Sequence, residues 1–247
     1  MGGDLSVRNR VILALEPAAQ AALLERALTR PLSAGEAIYA EGAPFTHLVF
    51  PHAGAVSLLT EMEDGRRVES ATIGPEGFLG FAALLGSGAA LRRAVVQVAG
   101  HASWLAIRDV EEAIARFPAV REQMLNYARS LMLQLMQAVA CNATHSAEAR
   151  IARWLLSTHD RVESDRFEVT QQAVADLLGL RRATVAQTSA QLESQGLIEH
   201  SRGAVRIVDR AALEKRACEC YRKMACCMGF RSSADAADED AKSGPPA

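Results

Sequence analysis

The hydrophobic periodicity of this chain changes near residue 108, and this change limits the possible folds more than any other feature of the sequence. Residues 31–107 contain short apolar runs separated by glycine, proline and aspartate, whereas residues 108–142 follow a helical period. Short runs at this spacing are typical of an antiparallel sandwich or barrel. The sequence therefore predicts a β domain followed by a long helix.

The apolar runs give positions for the individual elements. A helical spacing over residues 16–30 precedes six predicted strands, at 37–39, 48–50, 56–59, 68–73, 94–98 and 103–107. Residues 51–54 and Gly100 are of the kinds that interrupt regular structure, so we expect them to lie in loops between strands. Asp64-Gly65 predicts a tight hairpin, because both residue types tolerate a positive φ.

The long helical segment carries two apolar stripes. The first has the alternating steps of four and three residues of a heptad seam, and contains Met124, Ala128, Leu131, Leu135 and Ala138. The second contains Leu125, Met132 and Val139. Two stripes suit a helix that pairs with its copy in a homodimer while it packs on its own domain, and we predict the seam as the dimer interface. The alternative is an ordinary buried helix.

Residues 169–187 have the pattern of two short helices joined by a tight turn. Thr170 can cap the first helix, and Gly179 stands where a left-handed conformation would end it. Counted from Gln171, small Ala175 is at position 5, the glycine at 9 and β-branched Val185 at 15. This spacing indicates a helix-turn-helix, whose second helix enters the major groove of DNA. A plain helical hairpin is the alternative.

Two short apolar runs after the second helix favour the DNA-binding interpretation. Residues 196–200 and 202–208 are predicted strands around a turn at 201–203. A hairpin directly after the recognition helix makes a winged helix, whose tip commonly contacts phosphate.

Charge is divided unevenly along the chain, whose formal net charge is −2. Residues 1–117 carry a net charge of −3, and residues 145–216 carry +1. Within the second segment, two glutamates oppose four arginines over 26 residues: Arg181, Arg182, Arg202 and Arg206. This local excess of positive charge suits a nucleic-acid surface.

The order of β-rich domain, long helix and winged helix-turn-helix resembles the CRP/FNR family of bacterial transcription regulators over residues 10–225. The helix-turn-helix is the most specific part of the resemblance, and segments 47–59, 141–146 and 150–161 are weaker parts. The resemblance implies an α+β fold: an N-terminal antiparallel β-roll of the cyclic-nucleotide-binding type (1–117), a dimerisation helix (118–144) and a C-terminal winged helix-turn-helix (145–228). Residues 229–247 are predicted to be a disordered tail, because they lack periodicity.

The resemblance also implies partners and DNA contacts. The partners are double-stranded DNA with a palindromic operator and a second copy of the chain, with RNA polymerase as a further candidate. The residues assigned to DNA are Thr170, Gln171, Arg181, Arg182, Ala183, Thr184, Gln187 and Arg202. The family's recognition helix presents Arg, Glu and Arg to bases, and the matching positions here are Arg182, Ala183 and Gln187. We therefore expect the operator to differ from the well-known family sites.

The nucleotide-binding relatives hold ribose with a Gly-Glu pair and the cyclic phosphate with an Arg-Ser pair. The matching positions here are Gly80-Phe81 and Arg92-Arg93. Phe81 cannot accept a hydrogen bond from the ribose hydroxyl, which disfavours cyclic AMP. Two arginines can instead clamp another small anion. Cyclic AMP, a different anionic effector and no small ligand remain the three alternatives.

The five cysteines are an odd number and do not indicate a secreted disulfide framework, so the expected compartment is a reducing cytoplasm. Four of them lie close together near the C-terminus: Cys218, Cys220, Cys226 and Cys227. Such a set can bind a soft metal, but its spacing matches no common metal pattern, and we expect an ordinary helix without a metal site. The six histidines provide no pair of ligands on one helix.

Enzyme classes are disfavoured by the absence of a Walker loop, a His-Glu-x-x-His motif and a nucleophile elbow. The early apolar run at 11–15 is far too short for a membrane span, and no membrane partner is expected. The alternative to a DNA-binding regulator is a cyclic-nucleotide-binding regulatory module that acts on a protein partner. The predicted winged helix over 145–208 argues against that alternative.

Overall fold

The computed structural model describes residues 6–162 and 164–230. The N-terminal elements are α1 (Arg10–Leu13), α2 (Pro17–Leu24), β1 (Leu28–Leu32), β2 (Ala37–Tyr39), β3 (His47–Glu61), β4 (Arg67–Ile73), a 3-10 turn (Phe81–Leu85) and β5 (Arg93–Ala106). The strands form an antiparallel sheet in the order β1-β5-β3-β4, and β2 also pairs with β5. The predicted β-roll is confirmed. Residues 231–247 of the predicted tail lie outside the described residues, whereas Phe230 is buried in the C-terminal core.

The helix predicted over residues 16–30 is too long. α2 ends at Leu24, and residues 28–32 form β1, which pairs with β5. Among the strands of residues 6–162 and 164–230, β1 pairs with β5 on one side and with none on the other, so it lies at the edge of the sheet. An edge strand tolerates Pro31, whose missing N–H can face away from the ladder.

Two predicted loops are in fact parts of long strands. Residues 51–54 lie within β3 and Gly100 lies within β5, and the two strands pair across this region with shifts in register. Gly54 has a φ of +92°, and a Cβ on Gly100 would overlap the backbone of Ala53. The glycines therefore allow a close approach of the two backbones at a bulge without ending either strand. The predicted hairpin at Asp64-Gly65, between β3 and β4, is confirmed.

The long helical segment forms α3 (Ile107–Arg116) and α4 (Pro118–Thr144). Met124 and Leu131 are each 1% exposed and belong to the core of the β-roll, and Ala128 is also buried. The assignment of these three residues to a subunit interface is therefore wrong, because their own protomer already covers them. Leu135 and Ala138, the other two seam residues, are half-buried.

The C-terminal domain packs five more helices and a small sheet around a core that includes Trp154. Its elements are α5 (Ala147–His159), β6 (Arg166–Glu168), α6 (Gln171–Leu178), α7 (Arg182–Ser194), β7 (Ile198–Ser201), β8 (Ala204–Ile207), α8 (Arg210–Arg216) and α9 (Cys220–Cys227). The sheet order is β6-β8-β7. The sequence does not predict β6, because a strand of three residues with one apolar side chain shows no recognisable alternation of apolar and polar residues. Among the described residues, no helix combines the length and apolarity needed to span a bilayer.

Candidate nucleic-acid interface

The first helix of the predicted pair, α6, is held at both ends by the expected residues. Thr170 Oγ1 accepts a hydrogen bond from the backbone N–H of Ala173 at 3.1 Å. Gly179 ends the helix with a φ of +62°, in the left-handed conformation that glycine adopts without strain. The local sequence therefore sets both boundaries of α6.

The second helix, α7, packs on α6 through small and β-branched side chains. Val185 and Ala175 are each 1% exposed and share one core with Leu178. This packing leaves the opposite face of α7 free for a partner. Arg181, Arg182, Ala183 and Gln187 are exposed, and Thr184 is half-buried.

A groove joins the start of α6, the start of α7 and the wing. Gln171, Arg182 and Arg202 all line it, together with Thr170. Three segments distant in sequence thus present cationic and hydrogen-bonding side chains to one concave surface. Arg181, Ala183, Thr184 and Gln187 belong to the same helix face or helix start, but they do not line this groove.

The arginines of this surface differ in their ion pairs. Arg206 lies 3.3 Å from a carboxylate oxygen of Glu199. By contrast, Arg181, Arg182 and Arg202 have no ion pair within residues 6–162 and 164–230. Their charges are therefore available to a polyanion, for which unpaired surface arginines supply electrostatic affinity.

Among the groove residues that sequence reasoning missed, His200 is the one with a titratable side chain. It lies in β7 beside the wing turn, and this position next to a predicted tip was the available signal. Burial lowers the pKa of His200, and the charge of Glu193 partly opposes that effect. The ring is therefore neutral at neutral pH and offers a hydrogen bond rather than a charge.

A separate cavity of about 420 Å³ lies in the β-roll. Three of the four predicted effector residues line it: Gly80, Phe81 and Arg92. Gly80 has a φ of +93°, and a Cβ at this position would collide with the Leu48 side chain. Leu135 of α4 completes the wall, so the cavity touches the long helix directly.

The predicted clamp of two arginines is not formed. The Nη1 atom of Arg92 lies 3.2 Å from Glu41, and its Nε donates to Thr60 Oγ1 at 3.2 Å. Arg93, the first residue of β5, is absent from the lining. One arginine therefore faces the cavity.

Two family models match the chain. One, described as a cyclic nucleotide-binding domain, matches residues 29–116, and the other, a Crp-like helix-turn-helix domain, matches residues 149–216. These ranges coincide with the β-roll and with the domain that carries the groove. The chain belongs to the CRP/FNR family. Its β-roll therefore corresponds to the cyclic nucleotide-binding domain, and its groove lies in the Crp-like helix-turn-helix domain.

Curated relatives of this CRP/FNR chain are named as regulators. The CRP-like cAMP-activated global transcriptional regulator of Mycobacterium tuberculosis is 24% identical over 221 residues, which are 87% of this chain and 99% of the relative. Transcriptional regulator LdrP of Thermus thermophilus is 29% identical over 196 residues, 74% of this chain and 93% of the relative. These names agree with the expectation that the chain is not an enzyme.

Solved structures of CRP/FNR regulators share the fold. FixK2 from Bradyrhizobium japonicum superposes with a TM-score of 0.66 at 20% identity, covering 78% of this chain and 98% of FixK2. TTHB099, a CRP family transcriptional regulator from Thermus thermophilus, superposes with a TM-score of 0.63 at 26% identity, covering 76% and 96%. The predicted α+β architecture is thereby confirmed.

The four C-terminal cysteines of this CRP/FNR chain do not form one cluster. Cys226 and Cys227 are exposed on α9, whereas Cys218 and Cys220 are buried. The buried pair packs against Cys141 at the end of α4. A tertiary contact therefore joins two of these four cysteines to a third from α4 and leaves the other two exposed.

Proposed function

We propose that this regulator binds a palindromic DNA operator as a homodimer and reads bases with the start of α7. The groove shared by α6, α7 and the wing carries the proposal, because it gathers unpaired arginines on a concave surface. A winged helix with this surface inserts its second helix into the major groove. The partner is therefore double-stranded DNA, which also implies a location in the cytoplasm.

The contacts divide between base reading and backbone positioning. Arg182 is the first residue of α7, where its fork can reach the two acceptors of a guanine. Thr184 and Gln187 are further candidates for base edges along the same helix. Arg202 lies at the wing turn, and Thr170 and Gln171 lie at the start of α6, so these three contact phosphate.

A homodimer needs a surface that the protomer leaves uncovered, and α4 has one. Its second stripe is exposed, Leu125 by 37%, Met132 by 53% and Val139 by 72%, and Met136, which extends this stripe, is 65% exposed. These side chains recur at steps of seven, four and three residues, which is a heptad period. We assign the dimer seam to this stripe, where two copies of α4 pack around a two-fold axis.

The β-roll cavity is proposed as the control site. Its wall is mainly apolar, with Arg92 at one edge and Leu135 contributed by α4. An effector with an apolar body and an anionic group fits this lining, and it would compete with Glu41 for Arg92. Leu135 belongs to α4, which also carries the dimer stripe. A bound effector therefore contacts the dimerisation helix directly.

Selection of bound sites from random DNA duplexes tests the proposal. The expected result is a recovered motif with two inverted half-sites centred about one helical turn apart. Recovery of unrelated sequences, with binding that disappears as salt rises, would favour the regulatory module that acts on a protein partner. Contact with RNA polymerase remains a prediction, to be tested by adding polymerase to the selected operator.

A further inference from the structure

Four side chains with metal-ligating atoms meet where α4 ends. Cys141 and His145 are one helical turn apart at the end of α4, and Cys218 and Cys220 lie at the start of α9. The Sγ atoms of Cys141 and Cys218 are 3.5 Å apart, and Cys220 Sγ is 3.7 Å from His145 Nδ1. All four ligand atoms lie within 4.8 Å of one another.

The three cysteines of this cluster are buried, and the His145 side chain is 23% exposed. Cys141 and Cys220 are 0% exposed and Cys218 is 8% exposed, and none of them forms a disulfide. Structural zinc sites have this character: four protein ligands, three cysteines and one histidine among the common sets, and no open position for substrate.

A second layer of contacts orients the ligands. The Nε2 atom of His145 lies 3.1 Å from a carboxylate oxygen of Glu219, while its Nδ1 faces the sulfurs. A metal-bound histidine characteristically donates its other ring N–H to a carboxylate in this way. Gln137 donates from Nε2 to Cys220 Sγ at 3.0 Å, as expected next to a thiolate.

We propose that Cys141, His145, Cys218 and Cys220 bind one Zn²⁺ ion. Zn–S bonds of about 2.3 Å in a tetrahedron place neighbouring ligand atoms about 3.8 Å apart, close to the separations found here. Iron–sulfur clusters contain several iron atoms and require wider ligand spacing than a single ion. As zinc binds, the three thiols lose their protons to solvent, and the bound site carries a net charge of −1.

Neighbouring arginines balance that charge. Arg153 is close enough to Cys141 to act on it electrostatically, and Arg150 acts on both Cys141 and Cys218. Both arginines belong to α5, the first helix of the DNA-binding domain. Ala149 of α5 also packs against the three cysteines, so zinc bound between α4 and α9 fixes the junction between the dimer helix and the DNA-binding domain.

The test compares zinc content in full-length protein produced with zinc in the medium. Wild type is expected to contain about one zinc per chain, and Cys218→Ser with Cys220→Ser is expected to contain none. Cys226→Ser with Cys227→Ser is the matched control, because these exposed cysteines lie on the same helix, and it should retain the metal. Wild type without zinc, or equal zinc in both double variants, would overturn the proposal.

Two further measurements separate loss of the site from loss of the fold. Replacement of zinc by Co²⁺ in wild type should give the visible absorption of tetrahedral cobalt with thiolate charge transfer. Glu219→Gln, at a half-exposed side chain, should weaken zinc affinity by about 10–100-fold without changing the far-ultraviolet circular dichroism. Iron and acid-labile sulfide in anaerobically purified protein, an octahedral cobalt spectrum, or unchanged zinc affinity in Glu219→Gln would each contradict the proposal.

Discussion

Arg161 and Glu76 form an ion pair buried between the two domains, with Nη2 of the arginine 2.7 Å from Oε1 of the glutamate. Their side chains are 0% and 1% exposed. Arg161 follows α5, and Glu76 lies in the loop after β4, where a Cβ on Gly74 would collide with the arginine side chain. The pair therefore connects the sensor domain to the DNA-binding domain at a point closed to water.

Removing one partner should destabilise the protein strongly. Glu76→Gln leaves the Arg161 charge buried without its counter-ion, and the expected loss is about 3–5 kcal/mol in the free energy of unfolding. Urea titration followed by circular dichroism measures it. Glu112→Gln is the control, because it breaks an exposed pair with Arg26 and should cost less than about 1 kcal/mol. Equal losses in both variants would show that the buried pair has no special role.

Stability should fall in mild acid because of His52. Its Nδ1 accepts hydrogen bonds from the backbone N–H groups of Arg8 and Asn9, each at 3.1 Å, so the ring must be neutral. Burial, followed by the charge of His101, lowers the pKa of His52 to about 4. In the unfolded chain the histidine has its ordinary pKa of about 6.5. Between pH 4 and pH 6.5 the unfolded chain therefore binds a proton at this residue more readily than the folded protein does. This contribution is therefore complete above pH 6.5 and is lost as the pH falls towards 4.

Urea titrations at a series of pH values measure this effect. His52→Gln should lower the free energy of unfolding at pH 7 and flatten its pH dependence between 4 and 6.5 relative to wild type. If the free energy of unfolding of His52→Gln depends on pH as strongly as that of wild type, another group is responsible for the dependence.

The exposed stripe of α4 should control assembly. Met136→Asp with Val139→Asp places charges on the proposed seam without touching the core, so monomers with a nearly unchanged thermal midpoint are expected. Leu131→Asp should instead unfold the β-roll, because Leu131 is 1% exposed within its own protomer. Sedimentation equilibrium with thermal melting distinguishes the two results. A stable dimer of the Met136/Val139 variant would place the interface elsewhere.

Cyclic AMP should not bind tightly to the β-roll cavity. Phe81 lines this cavity, and the sequence resemblance aligns it with the family's ribose acceptor; a ribose hydroxyl left unpaired there would cost about 1–3 kcal/mol. Isothermal titration calorimetry should give no saturable heat at micromolar nucleotide. Phe81→Glu is the matching variant. If it gains cyclic AMP binding, the missing acceptor for the ribose hydroxyl is the cause of the weak binding. A tight isotherm with wild type, one nucleotide per chain, would refute it.

Local signals account for what could be predicted from the sequence. Thr170, Gly179 and Val185 act within one helical hairpin, so their spacing was enough to place α6 and α7. The two stripes of α4 have similar periods, and the sequence alone could not decide which one packs on the β-roll. The sequence predicts several short strands where the structure has the long strands β3 and β5. Gly54 and Gly100 are typical turn residues, and the close approach of the two backbones at these glycines is a tertiary contact that the sequence does not show.

Contacts between segments that are far apart in the chain could not be predicted from the sequence. Arg161 and Glu76 are 85 residues apart, and Cys141 and Cys218 are 77 residues apart. The spacing of Cys141 and His145, four residues apart on one helix, was an available signal for a metal site.

Arg182 tests the central claim, that the start of α7 reads DNA sequence. Affinities of wild type, Arg182→Ala and Arg202→Ala are measured for the selected operator and a random duplex over a range of salt concentrations. Arg182→Ala should lose about 1–3 kcal/mol on the operator alone, with an unchanged salt slope, because a base contact releases no counter-ion. Arg202→Ala should weaken both duplexes and reduce the slope by about one. If Arg182→Ala weakens the operator and the random duplex equally, Arg182 contacts only phosphate and the account of sequence reading is wrong.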